Sequence, residues 1–290
     1  MITYGIYGYE ITKIAELEGF KLIPRSQNDN EIRQLASDQN YYHLTGFLEI
    51  DENQIPIPNQ RGLIFDLQGI LSFIEQKNVI ITHPLRPHET YQKLNQDYPL
   101  KITFLRRLNG GGSFILSDTY STESRKICIE KALHKLKESD QNQGVFRSAF
   151  FKSIEPFKGS ESFRDVNYYL LFSALESLSR YHLNHYSRGA VKPIAKFLQL
   201  YEFDIKDGNN LDQYQISDFI KAVATYTNLR NALFHNGQLE WTNKEKTITL
   251  KLADYYPNFR LLIPLVMLKY IGFDDGHINW NSWLDLTPFK

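Results

Sequence analysis

The run Asn228-Leu229-Arg230-Asn231-Ala232-Leu233-Phe234-His235-Asn236-Gly237 closes a long apolar repeat and brings a guanidinium, side-chain amides and an imidazole together. On a helix Asn231 and His235, four residues apart, lie one above the other, and Asn228 extends that face one turn back. Arg230 stands five residues before His235, about 140° around the axis, and its long side chain can bend into the same cleft. These residue types suit acid–base work beside an anion. An imidazole exchanges protons near neutral pH, and a planar, always-charged guanidinium meets concentrated negative charge with two parallel hydrogen bonds. A neighbouring amide can hold either partner.

Such a cluster needs a helix to carry it. Ile216, Phe219, Ile220, Val223, Tyr226 and Leu229 define an apolar helical face, and Asn236-Gly237 supplies a left-handed stop. Most of the chain after residue 142 has this 3.6-residue period. A first helix is expected through Phe163, Val166, Leu170, Ala174, Leu175 and Leu178, capped by Ser160 or Ser162. A second starts near Arg188 with Pro193 in its first turn and ends near Tyr201 to Asp204. After the motif helix come a small hairpin, whose second strand is Thr247 to Leu252, and a very apolar helix from about Asn258 to Ile271.

The first half differs. Short runs at Leu44, Leu48 and Ile50, at Leu63-Ile64-Phe65 and at Val79-Ile80-Ile81 read as strands. So do Ile102 to Leu105 and Phe114 to Leu116, which would form a hairpin across Asn109-Gly110-Gly111-Gly112. An amphipathic helix from Ser121 to Glu138, with Ile129, Ala132, Leu133 and Leu136 on one face, leads into the polar tract Ser139 to Gly144, read as a linker. The fold class is therefore α+β: a mixed α+β or β-rich domain over residues 1–141, then an all-helical bundle with a small hairpin over residues 142–290.

Composition narrows the function classes. With 42% hydrophobic residues the 290-residue chain can bury a substantial core. Thirty-three basic against thirty-three acidic residues leave no net field, so a polyanion must be met by a local patch. The single Cys128 excludes an intrachain disulfide and any multi-thiolate zinc site. The longest apolar run, Leu261 to Leu268, contains Pro264 and is too short for a membrane span, and the first residues lack the pattern of a signal peptide. A soluble, cytoplasmic protein is expected, with no membrane partner.

The pattern R-N-x-x-x-H-x-G, at the end of a late helix in a C-terminal bundle, resembles the HEPN superfamily. The segment Leu170 to Leu178, with Glu176, is similar to the earlier acidic helix of its Apea-like branch. The resemblance covers roughly Gln143 to Lys290. Arg180-Tyr181-His182-Leu183-Asn184-His185 also fits the Arg–His spacing, but it lies on the first bundle helix, has Tyr181 where a more polar residue is expected, and lacks the Asn-Gly stop.

The resemblance implies metal-independent RNA cleavage without cofactors. The ribose 2′-hydroxyl attacks its adjacent phosphate, His235 removes its proton, Arg230 meets the charge gathering at phosphorus, and Asn231 holds the imidazole or a phosphate oxygen, with Asn228 supporting. The products would be a 2′,3′-cyclic phosphate and a 5′-hydroxyl, and DNA would be inert. The family pairs two domains across one cleft, which implies a homodimer with a composite site, two Arg230, Asn231 and His235 sets facing each other. A toxin or antiviral effector follows, its first domain meeting a trigger or antitoxin. The competing class is a non-catalytic dimeric scaffold.

Other candidates rank lower. Glu176 either lines the cleft and tunes His235 or pairs with a cation on a neighbouring helix. His83 and His88, held extended by prolines, read as an exposed loop rather than a metal site. The glycines at 110–112 lack the ending of a phosphate loop. Arg125-Lys126 reads as a solvated face, Arg106-Arg107 as a possible RNA contact, and the aromatic content chiefly as core.

Overall fold

A computed structural model describes residues 1–84, 100–102, 113–158, 163–204, 219–243 and 248–285. Among the described residues the fold is mixed α+β, 54% helical and 17% strand. It divides into two compact units, Met1–Lys137 with Phe157–Glu161, and Glu138–Pro156 with Ser162–Lys290.

The first unit is built on an antiparallel sheet. Strands β1 (Ile2–Tyr7), β2 (Ala15–Leu17), β3 (Phe20–Pro24), β4 (Tyr42–Ile50) and β5 (Ile80–Pro84) lie in the order β2-β3-β4-β1-β5, and β6 (Lys101–Ile102) also pairs with β4. β4 is central: Ile2 to Ile6 pair with Ile50 to Gly46 on one side, and Phe20 to Pro24 pair with the same stretch on the other. Its Gly46 is required sterically, since an added Cβ would sit 2.5 Å from the carbonyl oxygen of Ile23. Helix α1 (Asp29–Ser37) starts at Asn28, whose side-chain oxygen accepts from the backbone N–H of Asn30 and Glu31.

Three expectations fail here. Leu63-Ile64-Phe65 lies inside helix α2 (Ile57–Glu75), because the burial of Gln60, Leu67, Ile70, Leu71 and Ile74 follows helical spacing and Pro58 suits the first turn. A three-residue apolar run does not distinguish the two periods. Ile102 pairs with Tyr42 of β4, and Phe114 to Leu116 form no strand although Phe114 and Ile115 are buried. The expected turn at 109–112 and Arg106-Arg107 lie outside the described residues.

The third failure is Arg125, which is buried rather than solvated. It lies in the first turn of α3 (Ser124–Gln141), with Nη1 3.0 Å from Glu75 Oε1 and donating to the carbonyl oxygen of Glu10 at 2.6 Å. Nε donates to the Leu116 carbonyl at 3.3 Å, and Arg33 lies 3.5 Å from the Glu10 carboxylate. Neighbouring charge signs in sequence did not reveal acidic partners 50 and 115 residues away.

Asp118 borders this cluster, and burial pushes its carboxyl up to about 6 against the opposing pull of Arg125. A carboxyl whose folded value is raised binds its proton more tightly in the folded state. Its contribution to stability is therefore greatest on the acid side and falls as pH rises from about 4 to about 6. Asp118→Asn should remove that slope and raise stability at pH 7.5 by about 1–2 kcal/mol, read from urea unfolding across this pH range.

The second unit is helical: α4 (Val145–Lys158), α5 (Arg164–His182), α6 (Val191–Leu200), α7 (Phe219–Asn236), α8 (Leu252–Tyr270) and α9 (Ser282–Asp285), with a two-stranded β7 (Glu240–Asn243) and β8 (Ile248–Lys251). The tract expected to be a linker is the end of α3, closed by a bond from Gly144 N–H to the Ser139 carbonyl with Gln143 and Gly144 at positive φ. The final apolar helix begins at Leu252, six residues earlier than its pattern suggested. On α5 the buried face runs through Tyr168, Leu171, Phe172, Ala174, Leu175 and Leu178, while Phe163 and Val166, expected inside, are exposed. Ile220 is likewise exposed on α7. Ser160, Ser162, Ile216 and Thr247 lie outside the described residues.

Aromatic packing joins α5, α7 and α8. The ring of Phe259 lies 5.0 Å from Tyr168, 5.1 Å from Tyr226 and 6.2 Å from Phe172, and Tyr168 donates its hydroxyl to the Tyr226 carbonyl at 2.7 Å. Burial pushes the Tyr168 and Tyr226 phenols above their ordinary range. No helix among the described residues is long and apolar enough to cross a membrane.

Candidate functional site

The Tyr168 bond ties α5 to α7 one turn before Arg230. α5 presents Tyr169, Phe172, Glu176 and Arg180 at spacings of three, four and four, one stripe along a helix. α7 presents Asn228, Arg230, Asn231, Phe234 and His235. Leu229 and Ala232 point into the core, which leaves Asn228, Arg230 and Asn231 half-buried and His235 exposed.

Arg230 is held on several sides. Its Nη1 donates to Asn231 Oδ1 at 3.0 Å, and its Nη2 lies 3.5 Å from Glu176 Oε2. The guanidinium carbon lies 5.6 Å from the ring centre of Phe172 and 5.3 Å from that of Phe234, both within cation–π range. The group nonetheless keeps about a quarter of its surface in solvent. Asn231 thus contacts Arg230. His235 reaches the same aromatic ring from its edge, 5.3 Å from Phe234 at 80°. Phe234 links the guanidinium and the imidazole.

Glu176 serves two cations. Arg180, one turn on, donates Nε and Nη2 to Glu176 Oε1 at 3.0 and 2.9 Å, while Oε2 faces Arg230 across the helix pair. Arg180 also donates to the carbonyls of His185, Ser187 and Gly189, holding the loop between α5 and α6. The two arginines whose Arg–His spacings coincide in sequence therefore meet at one carboxylate. Ser187 Oγ lies 3.1 Å from His185 Nε2, so the second imidazole belongs to this loop.

Gly237, at φ 62°, ends α7, and its N–H donates to the Leu233 carbonyl at 2.8 Å. The helix ends at Asn236, one residue after His235, so the exposed imidazole lies in its last turn.

Sequence reasoning missed Phe234, Tyr169 and Arg180. Phe234 occupied a variable place in the motif, and Tyr169 had no motif at all; its signal was the i, i+3, i+7, i+11 stripe with Glu176 and Arg180. His83 is exposed at the end of β5 and His88 lies outside the described residues; among the described residues no three His, Cys, Asp or Glu side chains gather as metal ligands.

Comparison of the chain with protein-family models, with curated proteins and with solved structures found no match.

Proposed function

We propose that the chain is a metal-independent endoribonuclease whose second unit has the HEPN arrangement and acts on RNA as a homodimer. The observation that carries this reading is the placement of Arg230 and His235 against one ring, Phe234, in the last turns of α7, with Asn231 and Glu176 holding the guanidinium. His235 takes the proton of the ribose 2′-hydroxyl. That oxygen attacks phosphorus while Arg230 meets the charge on the non-bridging oxygens, and the 5′-oxygen leaves. The His235 of a second copy supplies the proton to the leaving oxygen, so the products are a 2′,3′-cyclic phosphate and a 5′-hydroxyl. Asn231 acts chiefly on Arg230, and Asn228 borders the cleft one turn back.

Exposed apolar side chains support the pairing of two copies. Phe163 and Val166, on α5 ahead of Tyr169, and Leu239, just past Gly237, are each more than half exposed. By analogy with toxins and antiviral effectors, the first unit is assigned the meeting with a trigger or antitoxin in the cytoplasm. The decisive test is incubation of purified protein with single-stranded RNA in excess EDTA, beside the same strand carrying 2′-deoxyribose at the cut position. Cyclic-phosphate ends from the first and none from the second are expected. Intact RNA under varied conditions overturns the nuclease and leaves a dimeric scaffold.

A further inference from the structure

The rings of Tyr169 and Phe234 stack within 7° of parallel, centres 5.4 Å apart, yet 39% of Tyr169 and 56% of Phe234 remain in solvent. One turn along α5, Phe172 commits its ring to the core beside Phe259. Tyr169 and Phe234 stand clear of that core. Scattered exposed aromatics need no explanation, but a stacked pair from two helices beside a guanidinium is a composed surface. We infer that Tyr169 and Phe234 are a base-stacking platform, and that the substrate is unpaired RNA whose base beside the scissile phosphate lies on these rings. The inference rests on the ribonuclease reading and adds the substrate class to it.

The chemistry around the rings favours a nucleotide. A nucleotide offers a flat apolar face and, one sugar away, an anion. The site offers flat rings and, 5.3 Å from the Phe234 centre, the guanidinium of Arg230. Arg230 and His235 both lie against Phe234, so the phosphate one sugar from a stacked base would meet a cation. In a duplex every base face is already covered by its neighbours and the edges are paired, so only loops, bulges and single strands can use the platform.

The test reads binding, not cleavage. Labelled DNA and RNA strands of about twelve nucleotides, and the same sequences as duplexes, are titrated onto the full-length protein. DNA cannot be cut by 2′-hydroxyl attack, so its binding is read free of cleavage. Single strands should bind at least tenfold more tightly than duplexes. Phe234→Leu and Tyr169→Leu, which keep apolar bulk and remove the ring, should each weaken single strands about tenfold, while Phe234→Trp and Tyr169→Phe should retain binding. Removing one base at a time should locate a position whose loss costs wild type about tenfold and Phe234→Leu nothing further. Leucine variants that bind like wild type, a wild type that binds no single strand, or leucine variants that turn a dimer into monomers would each overturn the platform, the last by assigning the rings to a second copy. DNA binding that depends on the rings while RNA stays intact would uphold the platform and remove the nuclease.

Discussion

His235→Ala should lower RNA cleavage by about 10³-fold while leaving the thermal midpoint within about 1 °C of wild type. The imidazole is exposed and its described contact is the edge of Phe234, so the fold loses almost nothing with it. Arg230→Lys should cost about 10²–10³-fold although the charge is kept. An ammonium cannot bond Asn231, face Glu176 and lie beside the Phe172 and Phe234 rings while presenting two parallel donors to a phosphate. Initial rates on one labelled strand, with melting curves of the same preparations, separate the two effects. Residual cleavage above a tenth of wild type in His235→Ala would remove that residue from the chemistry. A melting point lowered in proportion to activity would make Arg230 a structural cation instead.

Arg125→Met should destabilise the first unit by about 3–5 kcal/mol. The guanidinium is buried, lies against the carboxylates of Glu75 and Glu10, and donates to two backbone carbonyls. Methionine fills similar space but takes away the buried cation, leaving Glu75, itself buried, with only Lys77 at 3.8 Å and the half-buried Glu10 with Arg33 at 3.5 Å. Glu75→Gln placed on top of Arg125→Met should therefore restore part of the loss, because it removes a stranded charge. Urea unfolding, combined with hydrogen exchange of α2 peptides, measures both variants. A loss under 1 kcal/mol for the single variant, or no recovery in the double, would contradict this account of the cluster.

What was legible in sequence differs sharply between site and frame. The spacing of Asn228, Arg230, Asn231 and His235 and the stop at Gly237 are local properties of one helix, and α7 carries them at the positions their period requires. Glu176 was legible as a cleft or ion-pair residue, and it pairs with Arg230. Its second partner, Arg180, had been set aside with the weaker Arg–His match, because spacing cannot show that two helices share a carboxylate. Long-range features were the harder ones. β1 and β3 are short and are defined by pairing with β4, and β2 by pairing with β3, rather than by alternation of their own. α2 carried a triplet that reads equally as strand, and the Phe163 and Val166 face of α5 was assigned inward because apolar side chains usually are. Both residues lie at the start of α5, ahead of Tyr169.

The hydroxyl that Tyr168 gives to the Tyr226 carbonyl has a genetic corollary. Each residue added to or removed from a helix turns everything beyond it by about 100°. A single-codon insertion in α5 between Tyr168 and Tyr169, or in α7 between Tyr226 and Arg230, would swing one stripe off the other and break the Glu176, Phe172 and Tyr169 pairings together. Substitutions can erode this arrangement piecemeal, but a phase error dismantles it in one event.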